Sequence, residues 1–552
     1  MSVALQQQAR AAAPSDLPEF THREILEVLW GLMIAMFVAN ISGTIVSNAL
    51  PTIASHLGSD QQGYTWIVTA TLLTSTASTP IWGKLADMFD KKRLVIVGLL
   101  VFAAGSVMAG AAPTTGWLIA ARAVQGIGLG AVMSLVQAIL GTIIPPRNRG
   151  RYMAYTGAVM AVATVLGPLA GGWIVDQAWL GWRWCFWLAV PLAVVAILVL
   201  VWRLRVPHFT RDDLSVDWLG STLITVSASS LLIWISFAGN EFEWLSLQTA
   251  GLVALAVLSA VAFVIVELRV KNPIIPMDIL TMRTTALASI ASVAVGVGMF
   301  GASVFLGQYF QIAREYTPTE AGLMMIPMMA GVMISSLYVG RLVSRVGVWK
   351  PFVLAGAIIL AAGFALMSTI TIDTPLWQLG AYMVLTGLGV GMTLQNLVLA
   401  VQNSIPVQDV GAASSTVTFF RSLGGAVGIQ VLGVVFSNHV RDAMVEPMKA
   451  AVGQLVATHQ LTAQKAQELL AGSGGSLNFD GLPAPMVHVI REAYGNSVGS
   501  LFLVGALITA ASVIAVLFMK GTRLRGKFSD ALPEADARHL KTLDGEPALA
   551  GA

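Results

Sequence analysis

Fourteen long apolar runs dominate this 552-residue chain, at about residues 28–50, 64–86, 94–112, 117–140, 153–175, 185–203, 218–238, 248–267, 286–310, 320–341, 351–370, 376–402, 412–437 and 498–519. About twenty apolar residues in helical form cross a bilayer core. A segment in hydrocarbon must satisfy its backbone hydrogen bonds internally, so each run becomes a helix. Composition agrees, with mean hydropathy +0.75, 56% hydrophobic residues and 11% charged ones, where soluble domains carry about a quarter charged residues. The expected fold class is therefore an all-α polytopic membrane protein. A net charge of +3, with the basic residues in short loops, excludes nucleic acid as a partner. The single cysteine, Cys185, lies in an apolar run, so no disulfide framework or thiol metal site is expected. The seven histidines sit in loops or tails without metal-ligand spacing. No metal or cofactor is expected, and no nucleophile–base set marks a membrane enzyme.

Loop charge sets the orientation. Loops after even-numbered runs hold Lys91, Lys92 and Arg93; Arg147, Arg149 and Arg151; Arg205 and Arg211; Arg269, Lys271 and Arg283; and Arg345 and Lys350. Short loops after odd-numbered runs hold only Arg183 and Arg314. Both termini are thus expected in the cytoplasm. The first run is too long for a signal-peptide core and stays as the first span.

An internal duplication fixes the architecture. Gly83-Lys84-Leu85-Ala86-Asp87, running into Asp90, Lys91, Lys92 and Arg93, lies in the turn between runs 2 and 3. A second copy, Gly340-Arg341-Leu342-Val343-Ser344-Arg345, stands 257 residues later. Gly126, Gly128 and Gly130 in run 4 recur 261 residues on as Gly387, Gly389 and Gly391, and Gly167 and Gly171 recur 257 residues on as Gly424 and Gly428. Runs 1–6 and 9–14 are therefore two copies of one six-helix unit, and runs 7 and 8 are an insert. Parallel repeats of this kind place a substrate site at their interface near the midplane. The expected division is a cytoplasmic segment 1–27, a six-helix bundle 28–203, a linker with two inserted spans 204–284, a second bundle 285–519 with an outward loop 438–497, and a tail 520–552. The tail reads as disordered, being Pro/Glu/Asp-rich beyond its first basic residues.

The G-x-L-a-D element with its basic residues, echoed in the second half, resembles the signature of the major facilitator superfamily. Further elements are similar to its fourteen-span drug:proton antiporter family: Thr44-Ile45-Val46 with Ala49-Leu50-Pro51, Trp182-Arg183-Trp184-Cys185-Phe186 with Pro191, and Asp217-Trp218-Leu219-Gly220. The resemblance covers about residues 28–519 and implies two six-helix bundles plus two inserted spans, exporting drugs or amphipathic small molecules against protons by alternating access. The narrower alternative is a transporter of an anionic metabolite or lipid. The implied partners are a small-molecule substrate, protons and the lipid of a plasma membrane, with the chain acting as a monomer.

The same resemblance suggests roles. Gly83 would allow close helix approach, Asp87 would bond the free N–H groups of another helix end, and Lys91 and Lys92 would hold the loop inside. Gly167, Pro168, Gly171 and Gly172 resemble the exporter motif of span 5. Arg122, in a run matching R-x-x-q-G with Gln125 and Gly126, corresponds to the family arginine implicated in proton coupling. Departures matter as much. The family's span 1 acid falls at Ser42, and Asp90 replaces the motif glycine. No Asp or Glu lies deep in a run, which leaves Asp176, Glu315 or Asp87 as candidate proton carriers, whereas Arg421 falls near mid-membrane. An intramembrane ionisable residue is a functional candidate by default. The expected substrate cavity is otherwise uncharged, from Ser42, Asn48, Gln308, Gln311, Gln395 and Asn396, with Asn40, Gln137 and Gln430 as further polar candidates.

The loop charges generate a topology test. An alkaline phosphatase fusion after Gly472 should be active and one within the Arg147–Arg151 loop inactive; the reverse pattern would refute the orientation.

Overall fold

A computed structural model describes residues 21–59, 61–177, 179–204, 217–239, 241–270, 272–457 and 483–526. Residues 1–20 of the expected segment 1–27, residues 205–216 of the expected linker 204–284, residues 458–482 of the expected outward loop 438–497 and the tail beyond 526 lie outside the described residues. Fourteen long helices occur among those described: α1 His22–His56, α2 Gln61–Met88, α3 Lys91–Gly110, α4 Thr115–Ile143, α5 Pro146–Asp176, α6 Trp184–Arg203, α7 Trp218–Phe237, α8 Leu247–Glu267, α9 Arg283–Gln308, α10 Thr319–Val346, α11 Lys350–Met367, α12 Leu376–Ser404, α13 Val410–Ala457 and α14 Ala484–Phe518.

Thirteen of these are long and apolar enough to cross a membrane. The remaining one, α2, is 28 residues long but carries Thr69, Thr71, Thr74, Ser75, Thr76, Ser78 and Thr79. These hydroxyls face protein. Thr71 and Thr74 donate to the carbonyls of Arg122 and Ala123 on α4, at 3.1 and 2.8 Å, and Thr79 donates back to Ser75 in its own helix. Hydroxyl-rich, small-residue faces let transmembrane helices pack closely, so α2 is an interior helix although it alone of the fourteen lacks the apolar stretch of a membrane span.

The duplicated glycines occupy duplicated contacts. A side chain at Gly126 or Gly130 would run into α2, and one at Gly387 or Gly391 into α10. A Cβ at Gly128 would overlap the Phe102 backbone of α3, and one at Gly389 would lie 2.5 Å from the Leu360 nitrogen of α11. Gly167 and Gly171 pack on Thr44 and Ile45 of α1, as Gly424 and Gly428 pack on Val293 and Val297 of α9. Sequence spacing and packing thus describe one six-helix unit used twice. The insert stands apart: α7 touches α2 and α13, while α8 packs against α7 alone among the described helix pairs with more than marginal contact.

The outer loop expected to start at 438 has no break there. α13 runs unbroken for 48 residues, about 72 Å at 1.5 Å per residue, far beyond a bilayer core of about 30 Å. Met444, Met448, Val452 and Leu455 recur at helical spacing and meet Met486 and Ile490 at the start of α14. That apolar stripe continues both helices beyond the membrane as a packed pair.

Close packing on α4 predicts a stability contrast. Gly128→Leu should lower the Tm in detergent by on the order of 5 °C, since overpacking costs about 1–3 kcal/mol. Gly116→Leu, where a Cβ meets nothing within 4 Å, should leave it unchanged in the same thermal-shift measurement.

Candidate functional site

The two halves meet at the end of the bundle that carries the α2–α3 turn, through two related contacts. In the first, Gly83 of α2 lies against Gly411 and Ser415 at the start of α13, where a side chain would overlap Ser415 and come 2.9 Å from the Gly411 carbonyl. That approach lets Asp87, one turn further on, accept from the backbone N–H groups of Gly411 and Ala412 at 2.8 and 2.6 Å. A carboxylate there satisfies two of the orphan donors of a helix N-terminus and faces the positive end of its dipole. In the second contact Gly340 of α10 lies against Gly150 and Ala154 of α5. Ser344, which takes the place of Asp87, accepts from the Arg151 N–H at 3.0 Å. Gly150, Arg151 and Ala154 each stand 261 residues before Gly411, Ala412 and Ser415. The two contacts are therefore one device repeated, charged in one copy and neutral in the other.

The other expected gating residues flank these contacts. Lys91 is buried at the start of α3, whose N-cap is Asp90, accepting from the Lys92 and Arg93 N–H groups. The acid that replaces the motif glycine thus starts the next helix. Lys92 Nζ donates to the Val201 carbonyl at the end of α6, at 2.7 Å. Gly172 faces α10, with a Cβ position 3.0 Å from Thr319 Oγ1. Pro168, Asn48 and Asp176 lie on described helices, and their side chains fall outside the described set.

Arg122 is buried on α4. Its Nε donates to the Ile67 carbonyl at 3.3 Å and its Nη1 to Gln125 Oε1 at 2.6 Å. Gln125 Nε2 in turn donates to Ser42 Oγ of α1 at 3.0 Å and Ser106 Oγ of α3 at 2.8 Å. The network joins four helices, and no acid stands within ion-pair distance of Arg122 among the described residues. Ser42 therefore belongs with Arg122 and Gln125 and not with the other polar cavity candidates.

Those candidates are divided. Gln395 of α12 accepts from Gln137 of α4 at 3.0 Å, across the two halves. Gln137 Oε1 and Gln395 Nε2 are buried and without a hydrogen-bond partner. Arg421 is buried on α13, and its Nη1 reaches the carbonyl of Leu394, the residue before Gln395, at 3.5 Å. Asn396 bonds back to the Met392 carbonyl of its own helix. Gln308 ends α9 and Gln311 is exposed on the π turn beyond it, so neither joins the central group. Glu315, at that same end, pairs with Arg491 at 2.8 Å.

One cluster escaped the sequence reading. Arg149, read there only as a positive loop residue, is fully buried. It donates to the carbonyls of Ile144 and Gly141 and, across the halves, to Gln402 Oε1 at 3.1 Å. Gln402 Nε2 donates to Ser414 Oγ of α13 at 2.7 Å. The available signal was the run Gln402-Asn403-Ser404 closing an apolar helix, polar side chains where a span needs none.

The chain is similar to known proteins. The Major Facilitator Superfamily model matches residues 32–429. The multidrug transporter protein MdtP of Bacillus subtilis strain 168 is 32% identical over 521 residues, covering 92% of this chain and 95% of that protein. Multidrug resistance protein 3 of the same organism is 30% identical over 502 residues, covering 90% and 96%. Among solved structures, the proton:xylose symporter XylE superposes with a TM-score of 0.62 at 13% identity, covering 94% of this chain and 99% of that one. The human organic anion transporter MFSD10 gives 0.55 at 14%, covering 90% and 100%. Repeat and relatives agree: the chain belongs to the Major Facilitator Superfamily and is a transporter rather than an enzyme.

Proposed function

We propose that this multi-pass membrane transporter exports drugs or other amphipathic small molecules across the plasma membrane by alternating access, driven by protons, with both termini in the cytoplasm and one chain as the working unit. The observation that carries the reading is the repeated interhalf contact. Asp87 and Ser344 bond helix N-termini of the opposite half, so these contacts break and form as units when one six-helix bundle rocks against the other. The direction of export is supported by the Gly167–Gly172 element, whose small residues let α5 lie directly on α1 and α10, and by full-length likeness to two relatives named as multidrug transporters.

Arg122, Gln125 and Ser42 form the proposed coupling network. With no carboxylate partner among the described residues, the arginine reports on protonation elsewhere, and Asp176 at the end of α5 is the proposed carrier. The proposed substrate group is central: Gln137, Gln395 and Arg421, where two amide atoms remain open to a ligand, with Asn396, Asn48, Gln308 and Gln311 as lesser contributors.

Charge at this centre favours one class of substrate. Burying an unpaired charge costs several kcal/mol, and no Asp or Glu stands mid-span among the described residues to receive a cation. At an effective dielectric near 20, an arginine about 6 Å from a substrate charge is worth roughly 3 kcal/mol. Neutral and anionic amphipaths are thereby favoured over dications, which is also the observation that keeps the anionic-metabolite reading alive.

Uptake into everted vesicles with an acid lumen tests both parts. A neutral or anionic fluorophore should accumulate faster than a dicationic dye, and Arg421→Ala should slow the anionic one at least about tenfold. Asp87→Asn should impair all transport at normal expression. A dicationic dye as best substrate, with all rates untouched by Arg421→Ala, would overturn the charge argument; transport independent of the gradient would overturn proton drive.

A further inference from the structure

The two interhalf contacts are unequal. Asp87 supplies two charge-assisted bonds to the start of α13, and Ser344 supplies one neutral bond to the start of α5. Charge-assisted bonds are roughly twice as strong as neutral ones. At the weaker contact the chain brings in another segment. Beyond α14, residues 519–526 cross the cytoplasmic face in extended form. The Arg525 carbonyl accepts from the Arg147 N–H at 3.0 Å, one turn before Arg151 on the same helix end. The segment is anchored to the second half throughout. Arg525 N donates to Asn403 Oδ1 at 3.0 Å, and Asn403 Nδ2 donates to Thr522 Oγ1 and the Arg523 carbonyl. Leu524 N donates to the Gly347 carbonyl at 2.9 Å, and Arg523 forms an antiparallel bridge with Val348. Arg525 Nη2 reaches the carbonyls of Gln402 and Ile405. Gln402 is the residue whose side chain Arg149 of the first half grips.

We propose that residues 519–526 are a strap that completes the weaker interhalf contact, with Asn403 and Arg525 as positioning residues that hold the cytoplasmic side closed. The strap gives the α5 N-terminus the acceptor that Ser344 alone lacks, and it fixes Gln402 for Arg149. Its sequence suits the task, since Thr522, Leu524 and Arg525 turn inward (Leu524 and Arg525 are buried) while Lys520 and Gly521 stay exposed. The proposal rests on the alternating-access reading above, and the test separates the two.

Spin labels at Arg93→Cys and Arg345→Cys, both exposed and one in each half, in a Cys185→Ser background of the full chain, report the distance between the cytoplasmic ends by pulsed electron resonance. Asn403→Ala, and separately a chain ending after Met519, should raise the ratio of long to short distances on the order of tenfold, each hydrogen bond being worth about a factor of five. A chain ending after Gly526 keeps the strap and should match the parent. Asp87→Asn is the reference and should raise the ratio as well. A shift with Asp87→Asn but none with Asn403→Ala or the shorter chain overturns the strap and leaves alternating access standing. No shift with any variant, Asp87→Asn included, overturns alternating access and the strap with it. An equal shift on removing only residues after Gly526 also overturns the strap.

Discussion

The first contact between the two halves of this transporter depends on Asp87 reaching the start of α13. A carboxylate at a membrane boundary is useful when it meets N–H groups that no helix can satisfy internally. Gly411 and Ala412 present two of them. The contact needs Gly83, because a Cβ one turn earlier would hold the helices apart. The charge and the missing side chain thus form one device, and neither residue could serve without the other.

Duplication then yields a second device of different strength. The same glycine contact recurs between Gly340 and Gly150, with Ser344 in place of the acid. In the proposed alternating-access cycle, two equally strong contacts would hold this end closed more firmly, whereas one strong and one weak contact would keep the states closer in energy, since a ligand can shift an equilibrium only by its differential affinity. Residues 519–526 lie on the weaker side.

The membrane interior follows the same economy. Helix approach relies on glycine and hydroxyl side chains, since lipid offers little hydrophobic drive for association. Arg122 is held by a carbonyl and by Gln125, and Arg421 by a long contact to one carbonyl. Among the described residues these arginines have no carboxylate partner, and a serine stands at position 42 where the family resemblance implies an acid.

Much of this was legible in the sequence. Fourteen apolar runs gave fourteen helices because hydrocarbon leaves a spanning backbone no alternative, and nearly equal offsets, 257 between Gly83 and Gly340 and 261 between Gly128 and Gly389, revealed the repeat because packing needs the same small residue at the same place. Asp87 was readable as a partner for a helix end, although not which end. Tertiary structure alone decided that Ser42 joins Gln125 and not Gln395, that Arg149 is buried against Gln402, that α13 continues past residue 438, and that residues 519–526 bridge the halves. Each of those depends on which residues from distant parts of the chain meet. Local periodicity records a residue's burial against its own helix face, and it carries no information about a partner 120 or 260 positions away.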